Sequence, residues 1–563
     1  MSCRIRSPMD MISEILPYRI DDIPLLLALV KQIDLAAVID ECVPTHGNTL
    51  NHNELTNGEA LCIWLVYILT QSDHRKLTVE EWVRHHSPML SKLWGAPVPA
   101  SDFTDDRLST LLSRLFNPVS QCKIDQRLFE HTVYVYDLYA DHIRLDATAC
   151  SGHHDVQEQG MMQLGHSKDG RDDLAQFKVM AAATGRAPYI SGQFYSGEKA
   201  DDPLYVPLFE RIVCWLPDPG MLLVGDCKMC ALETRAAIVN ARHLYYMPLA
   251  KNHVGSRLYT RWIHDAVTGT LPDLTAIWRG EELLGYGYEF TRDQRSEGQE
   301  WTERVHVVRS LNMVPSGEET IDHHVQRARE ALFKLTPAPR QGQAQVKDAN
   351  ELQKSIHAIV KQYHLNGVLT VTWECDETYK GGQDFRLVIT KVDVDADKLR
   401  DLKHHTGWRV FITNTKKERL ALDAGVLLYR KGAGQGVERM YAMFKGSPIG
   451  ISPMFVRKDD QIIGLAYLLT LALRVMTYFE TMVRDALAKN KEQLPDYTPD
   501  GKSSGNPTAK TMLERIAKKG VILNQVRYSN GERHFHLSKL PPILSKILEV
   551  LNLSTQIYEC LLE

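Results

Sequence analysis

The sequence predicts a multidomain α/β protein, and three observations carry that prediction. Short strand-like and helix-like segments alternate between residues 133 and 255, as they do in layered α/β units. Residues 1–132 have helical periodicity, and residues 256–415 are rich in strand-like segments. The chain has 563 residues, enough for about three to five structural units.

Residues 1–132 predict an all-helical N-terminal domain. Apolar residues recur at helical spacing in PLLLALVKQIDLAAVIDECV, and NGEALCIWLVYIL predicts a second helix that Thr56 or Asn57 caps. Residues 79–94 and 104–116 predict two more helices. Such a domain suits DNA binding, dimerisation or simple packing, and composition does not separate these alternatives.

Residues 133–255 predict the first part of an α/β core. The predicted strands are VYVYDLYADHIRLDATA, FKVMAAATG, PYISGQFYSG, MLLVGD and LYYMPLA, and the predicted helices are DPLYVPLFERIVCWL and ALETRAAIVNARH. Because MLLVG is apolar throughout, we expect a central sheet that is buried on both faces.

The rest of the chain divides into three predicted parts. Residues 256–415 predict a β-rich insertion subdomain with two strand pairs and helices near 320–336 and 348–364. Residues 416–493 return to helical patterns, including a long apolar helix at 461–485 that reads as a buried core helix. Residues 494–563 form a basic C-terminal segment with a helix and a hairpin that turns at Asn530-Gly531.

Charge and composition narrow the class of protein. The net charge is −4, but residues 401–563 carry 24 Lys and Arg against 16 Asp and Glu, which suits a polyanionic partner. The N-terminus lacks the apolar run of a signal peptide, and no transmembrane segment is expected. Ten scattered cysteines favour a reduced, cytoplasmic protein.

Three acidic residues are candidates for chemistry. Asp226 follows the apolar strand MLLVG, and Asp146 lies in the strand-like HIRLDATAC. Carboxylates on neighbouring strands can hold Mg²⁺, and two such ions can assist phosphoryl transfer. Glu438 lies on the predicted helix GVERMYAMFKG, with Tyr441 and Lys445 on the same helical face.

Several nearby residues are candidates for phosphate contacts. Lys168 and Arg171 lie in the charged turn GHSKDGRDDLAQ, and Tyr441 and Lys445 share the helix of Glu438. A solvated turn and a plain surface helix are the alternatives. A zinc site at Cys227 and Cys230 is a weaker alternative, because no second pair has standard spacing. No nucleotide-cofactor loop is expected.

The segments DATACSG, GHSKDGRDDLAQFKVM, LLVGDCKM, GWRVFITNT and GVERMYAMFKG occur in that order. Together with the helical N-terminal pattern, they resemble DDE transposases of bacterial insertion sequences, in the insertion-sequence-four superfamily. The resemblance covers roughly residues 15 to 480.

The resemblance implies a ribonuclease-H-like catalytic core interrupted by a β-rich insertion. It also implies that Asp146, Asp226 and Glu438 are the catalytic and metal-binding triad for two Mg²⁺ or Mn²⁺ ions. Such enzymes cut double-stranded DNA at inverted terminal repeats, join the 3′ ends to a target, and usually act as dimers. A cytoplasmic protein associated with the bacterial nucleoid is therefore expected.

The chain departs from the pattern of this family at one helix. The family has Tyr seven and Arg four residues before the Glu, and Lys seven residues after it. This chain has Lys431 and Gly434 at the first two positions, and only Lys445 matches. A catalytically impaired or regulatory DNA-binding derivative therefore stays open, as does a metal nuclease that does not join strands. Glu418 is the alternative third acid.

Overall fold

The computed structural model describes residues 12–43, 55–134, 142–166, 170–185, 188–216, 219–269, 274–340, 344–432 and 437–562. The chain divides into two compact units. The first unit comprises residues 1–245 and 429–563, and the second comprises residues 246–428. The fold is mixed α/β, in agreement with the sequence prediction.

Six helices follow strand β1 (Ile12–Arg19) in the first unit, so residues 1–132 are mostly helical but not all-helical as predicted. They are α1 (Ile23–Gln32), α2 (Leu35–Cys42), α3 (Asn57–Gln71), α4 (Lys76–Trp94), α5 (Asp105–Leu115) and α6 (Pro118–Phe129). The cap of α3 is Thr56, whose hydroxyl accepts from the Glu59 amide while the Glu59 carboxylate accepts from the Thr56 amide. The first predicted helix is two helices, because Asp34 takes a left-handed conformation with φ 54°.

The sheet of the first unit is mixed. Its strands are β2 (His142–Gly152), β3 (Ala175–Thr184), β4 (Tyr189–Ser196) and β5 (Leu222–Val224), in the order β4-β3-β2-β5. The β2–β5 pair is parallel and the other two pairs are antiparallel. Helices α7 (Tyr205–Val213) and α8 (Leu232–Asn240) are those predicted.

The prediction that the first core strand begins at residue 133 was wrong. Residues 133 and 134 belong to a π-helical turn, Glu130–Tyr134, that follows α6, and β2 begins at His142. Residues 135–141 of the predicted strand lie outside the described residues.

A small sheet joins residues near the two ends of the described chain, and the sequence predicted its hairpin but not its third strand. Strand β1 (Ile12–Arg19) pairs antiparallel with β13 (Ile522–Tyr528), which pairs with β14 (Arg533–Leu537). The hairpin turn at Asn530-Gly531 is confirmed, and Gly531 supplies the positive φ of 87° that the turn needs. Helices α16 (Ala509–Lys519), α17 (Pro542–Val550) and α18 (Gln556–Glu559) complete this region.

Two further helices lie beside the sheet of the first unit, α14 (Val437–Lys445) and α15 (Asp459–Asn490). The 32-residue α15 is longer than the apolar run suggested, and by length and composition alone it could cross a membrane. Its entire apolar window is buried inside the protein, which is typical of the core helix of a folded unit.

The second unit contains a set of antiparallel strands and an apolar core of its own. The strands follow the order β6-β12-β9-β8-β7. They are β6 (Leu244–Pro248), β12 (Trp408–Thr413), β9 (Gln299–Ser310), β8 (Glu282–Ser296) and β7 (Thr275–Arg279), and β6 crosses the unit boundary. A separate pair joins β10 (Leu369–Asp376) to β11 (Arg386–Val394). The helices are α9 (Ser256–Val267), α10 (Val314–Leu335), α11 (Ala349–Gln362), α12 (Ala396–His404) and α13 (Leu422–Gly432), which runs past the boundary. The predicted strand pairs are confirmed, whereas α9, α12 and β7 were not predicted.

Candidate active site

The parallel pairing of β2 with β5 determines where the two candidate aspartates lie. His142 pairs with Leu222 and Arg144 with Val224. Continuing this register for two residues brings Asp226, just past the end of β5, opposite Asp146. Paired residues of parallel strands point to the same face of a sheet, and neighbouring strands lie about 4.8 Å apart. Both carboxylates are half-buried.

Tyr205, on α7, lies close to both aspartates. Its hydroxyl donates a hydrogen bond to Asp226 Oδ1 at 2.6 Å, and the Lys228 amide donates to the same oxygen at 2.8 Å. Burial raises the pKa of Tyr205 well above its usual value, and the charges of Asp226 and Asp146 raise it further. The phenol therefore stays protonated and remains a donor to Asp226.

Helix α14 packs on the sheet through Tyr441. The Tyr441 hydroxyl donates to the carbonyl oxygen of Asp146 at 2.5 Å and lies 3.4 Å from the carbonyl oxygen of Val179. Burial is also the main reason that the pKa of Tyr441 is raised well above its usual range. Predicted as a phosphate contact, Tyr441 is instead buried in this structure, with its hydroxyl engaged by the β2 backbone.

Glu438 lies one helical turn before Tyr441 and is exposed. Its charge acts on the guanidinium of Arg144, which is buried on β2. Burial lowers the pKa of Arg144, and the interactions with Tyr429 and Glu438 oppose that decrease. Because Arg144 and Asp146 are two residues apart on one strand, their side chains share a face. The glutamate is thus near the face that carries the aspartates, beside a cation.

The carboxylates are not gathered into one cluster. Within the part of the chain that the structure describes, no group of three or more His, Cys, Asp or Glu side chains stands close enough to hold a metal ion. Asp226 is held by Tyr205 and the Lys228 amide, and the charge of Glu438 acts on Arg144. The donor set that fits a cation is therefore the aspartate pair, since Mg²⁺ is usually bound through one or two carboxylates plus phosphate and water.

The remaining predicted residues lie in different surroundings. Lys445 is half-buried at the end of α14 and lines a cleft of about 890 Å³. Arg171 is exposed, and its guanidinium pairs with Asp173 through contacts of 2.8 and 2.9 Å. Lys168 lies outside the described residues. Glu418, the alternative third acid, is exposed in the second unit.

Two residues of this site were missed by sequence reasoning. Arg144 could have been found, because a strand that exposes Asp146 on one face places the residue two positions earlier on that face. Tyr205 carried no such signal, since only the packing of α7 brings it to Asp226. At the CxxC segment, the Cys230 thiol donates to the Cys227 carbonyl at 2.9 Å.

Residues 17–122 match a domain of unknown function, DUF4277. The match covers most of the helices α1–α6. Among solved structures, the chain is similar to a piggyBac transposase synaptic complex with hairpin DNA, with 9% sequence identity and a TM-score of 0.33. That alignment covers 90% of this chain and 82% of the other. No curated protein matches the chain.

Proposed function

We propose that this chain is a DNA transposase of the DDE type. The observation that supports the proposal most is the parallel register of β2 and β5, whose extension by two residues sets Asp226 opposite Asp146, with the helix of Glu438 packed on β2. One further point supports it: the ordered segments around all three acids resemble such enzymes.

The proposed reaction is cleavage of double-stranded DNA at inverted terminal repeats, followed by joining of the 3′ ends to a target. Water attacks the scissile phosphorus, the bond to the 3′ oxygen breaks, and that oxygen leaves as a hydroxyl that later attacks the target phosphodiester. We further propose that the protein acts as a homodimer on DNA in the bacterial cytoplasm.

Each residue of the site has a defined part in this proposal. Asp146 and Asp226 would hold Mg²⁺ or Mn²⁺, which when bound activates the attacking oxygen and stabilises the leaving one. Tyr205 and the Lys228 amide fix the Asp226 carboxylate. Glu438 would complete a second metal site. Lys445 would lie along the phosphate backbone, with Arg171 and Lys168 as further candidates.

The test is cleavage of DNA that contains the sequences flanking the protein's own gene. Products are compared on a sequencing gel with Mg²⁺, with EDTA, and for the variants Asp226→Asn and Glu438→Gln. Asp106→Asn, an exposed aspartate on α5, is the matched control. We expect metal-dependent cuts at the element boundary by the wild type and the control only. Full cleavage by Asp226→Asn would refute the assignment of the site.

A DNA-binding derivative without catalysis is the second candidate. The observation that favours it is the position of Glu438 beside Arg144, together with Lys431 and Gly434 where the family has Tyr and Arg. This candidate predicts salt-dependent binding to the same ends with no cleavage in any metal. In that case, Gly434→Arg is the first substitution to try for restoring activity.

A further inference from the structure

Five aromatic side chains form a continuous row between two clefts of the first unit. Consecutive ring centroids are separated by 5.3 Å from Tyr18 to His85, 4.8 Å from His85 to His86, 4.8 Å from His86 to Trp82, and 5.3 Å from Trp82 to Tyr67. Trp82 and His86 are buried, whereas His85 is exposed and Tyr18 is half-buried. The rings thus meet in tilted and edge-to-face contacts, and the row is buried at Tyr67 but accessible at His85 and Tyr18.

His85 belongs to both clefts that this run connects. The larger cleft, of about 890 Å³, is also lined by Lys445 and by Phe455, whose side chain is 59% exposed. The smaller cleft, of about 210 Å³, lies against the sheet of the chain ends and is lined by Tyr18, Phe535 and three cations. Those cations are Lys92, Arg527 and Arg533.

The side chains at the smaller cleft give that end of the path a positive charge. No acid lines the smaller cleft within the described residues, although Arg527 also pairs with Glu14 at 3.0 Å. In the larger cleft, Asp73 is engaged by Arg75 at 2.9 Å, and Glu81 is the second acid. Residues 509–539, which include β13 and β14, contain seven Lys and Arg against two Glu.

We propose that this path binds a short unpaired stretch of DNA. We name it the ring surface: Tyr18, His85, Phe455 and Phe535, with Lys92, Lys445, Arg527 and Arg533. Accessible rings interleaved with cations bind single strands, because bases stack on the rings while the cations follow the phosphates. A duplex keeps its bases inside the stack and could use only the cations.

The choice of DNA as the ligand rests on the proposed function. Lys445 closes the helix that carries Glu438, so the ring surface begins on the element that bears the third candidate acid. A strand released at a cut end could therefore lie from Lys445 past His85 to the β13–β14 hairpin. This gives the C-terminal segment a defined part in holding DNA.

The test is fluorescence anisotropy with labelled 15-nucleotide single strands and the matching duplex, in EDTA so that no cleavage is needed. His85→Ala and Arg533→Ala are each expected to weaken single-strand binding, by about fivefold or more for His85→Ala. His85→Phe keeps a stacking ring and is expected to retain most of the affinity. His323→Ala, an exposed helical histidine, and Arg295→Ala, an exposed hairpin arginine, are the matched controls.

Four outcomes would overturn the inference. Three concern single-strand affinity: no change in His85→Ala and Arg533→Ala, an equal decrease in the control variants, or an equal decrease in His85→Ala and His85→Phe. The fourth is duplex binding as tight as single-strand binding, with the same dependence on His85. Because the assay needs neither metal nor cleavage, a protein that binds through this surface but never cuts would refute only the proposed function. Circular dichroism melts verify that each variant is folded.

Discussion

The buried carboxylate of Asp125 offers the sharpest test of how the first unit is held together. Asp125, on α6, is fully buried and accepts hydrogen bonds from Arg211 and Arg474 at 3.0 Å each and from Ser191 at 2.7 Å. The Tyr467 hydroxyl donates to it at 3.2 Å. One side chain thus joins α6 to β4, α7 and α15.

Removing this carboxylate leaves two arginines buried without their counter-charge. The exposed fractions of the Arg211 and Arg474 side chains are 7% and 2%. Burial acts to lower the pKa of Arg211, but the charge of Asp125 and smaller interactions with neighbouring side chains together raise it on balance. Breaking a buried ion pair on one side typically costs about 3–5 kcal/mol. That is a large share of the roughly 5–15 kcal/mol that stabilises most folded proteins.

The assay is urea unfolding of Asp125→Ala and Asp125→Asn, followed by tryptophan fluorescence and circular dichroism. We expect Asp125→Ala to lose about 3–5 kcal/mol of unfolding free energy and Asp125→Asn, which keeps one acceptor oxygen, to lose less. Asp173→Asn breaks the exposed pair with Arg171 and is the matched control, with no measurable change expected. Equal stability of Asp125→Ala and the control would refute the reasoning.

Three further predictions concern pH, packing and the site. Burial raises the pKa of Asp22 to about 7, so the folded protein keeps a proton that the unfolded chain releases near 3.8. Stability should therefore fall as pH rises from 4 to 7, and Asp22→Asn should flatten that dependence in melts across pH; an unchanged slope would contradict it. Gly464→Ala should lower the melting temperature, because a Cβ there would lie 2.0 Å from the Leu112 carbonyl oxygen; a higher value would contradict the packing of α15 on α5. Tyr205→Phe should reduce metal-dependent cleavage about 10- to 100-fold with the fold intact, since it removes the donor to Asp226; unchanged activity would show that this hydrogen bond does not matter.

The local sequence pattern was sufficient to predict an element where neighbouring segments of the chain bury it. The strands β3, β4 and β5 and helices α7 and α8 were predicted because apolar runs and amphipathic segments have distinct periods. Strand β1 was missed for the opposite reason. Most of its residues are exposed, and the partner that makes it a strand, β13, lies some 500 residues further along the chain.

The sequence selected candidate residues for the site but not their contacts. Asp146 and Asp226 were selected because each lies in or just after a strand-like segment, and extending the parallel register of β2 and β5 sets them opposite each other. The electrostatic interaction of Glu438 with Arg144 and the burial of Tyr441 depend on how α14 packs across β2. Helical spacing places Glu438, Tyr441 and Lys445 on one face but does not say what that face meets.

The most direct test of the central claim is Mn²⁺ binding measured by electron paramagnetic resonance, without DNA and with single strands added. The claim is that Asp146 and Asp226 together hold the ion. We expect the wild type and Asp106→Asn to bind Mn²⁺ with equal affinity. Asp146→Asn and Asp226→Asn should each lose most of that binding while keeping wild-type melting curves. Undiminished Mn²⁺ binding by both variants would contradict the claim.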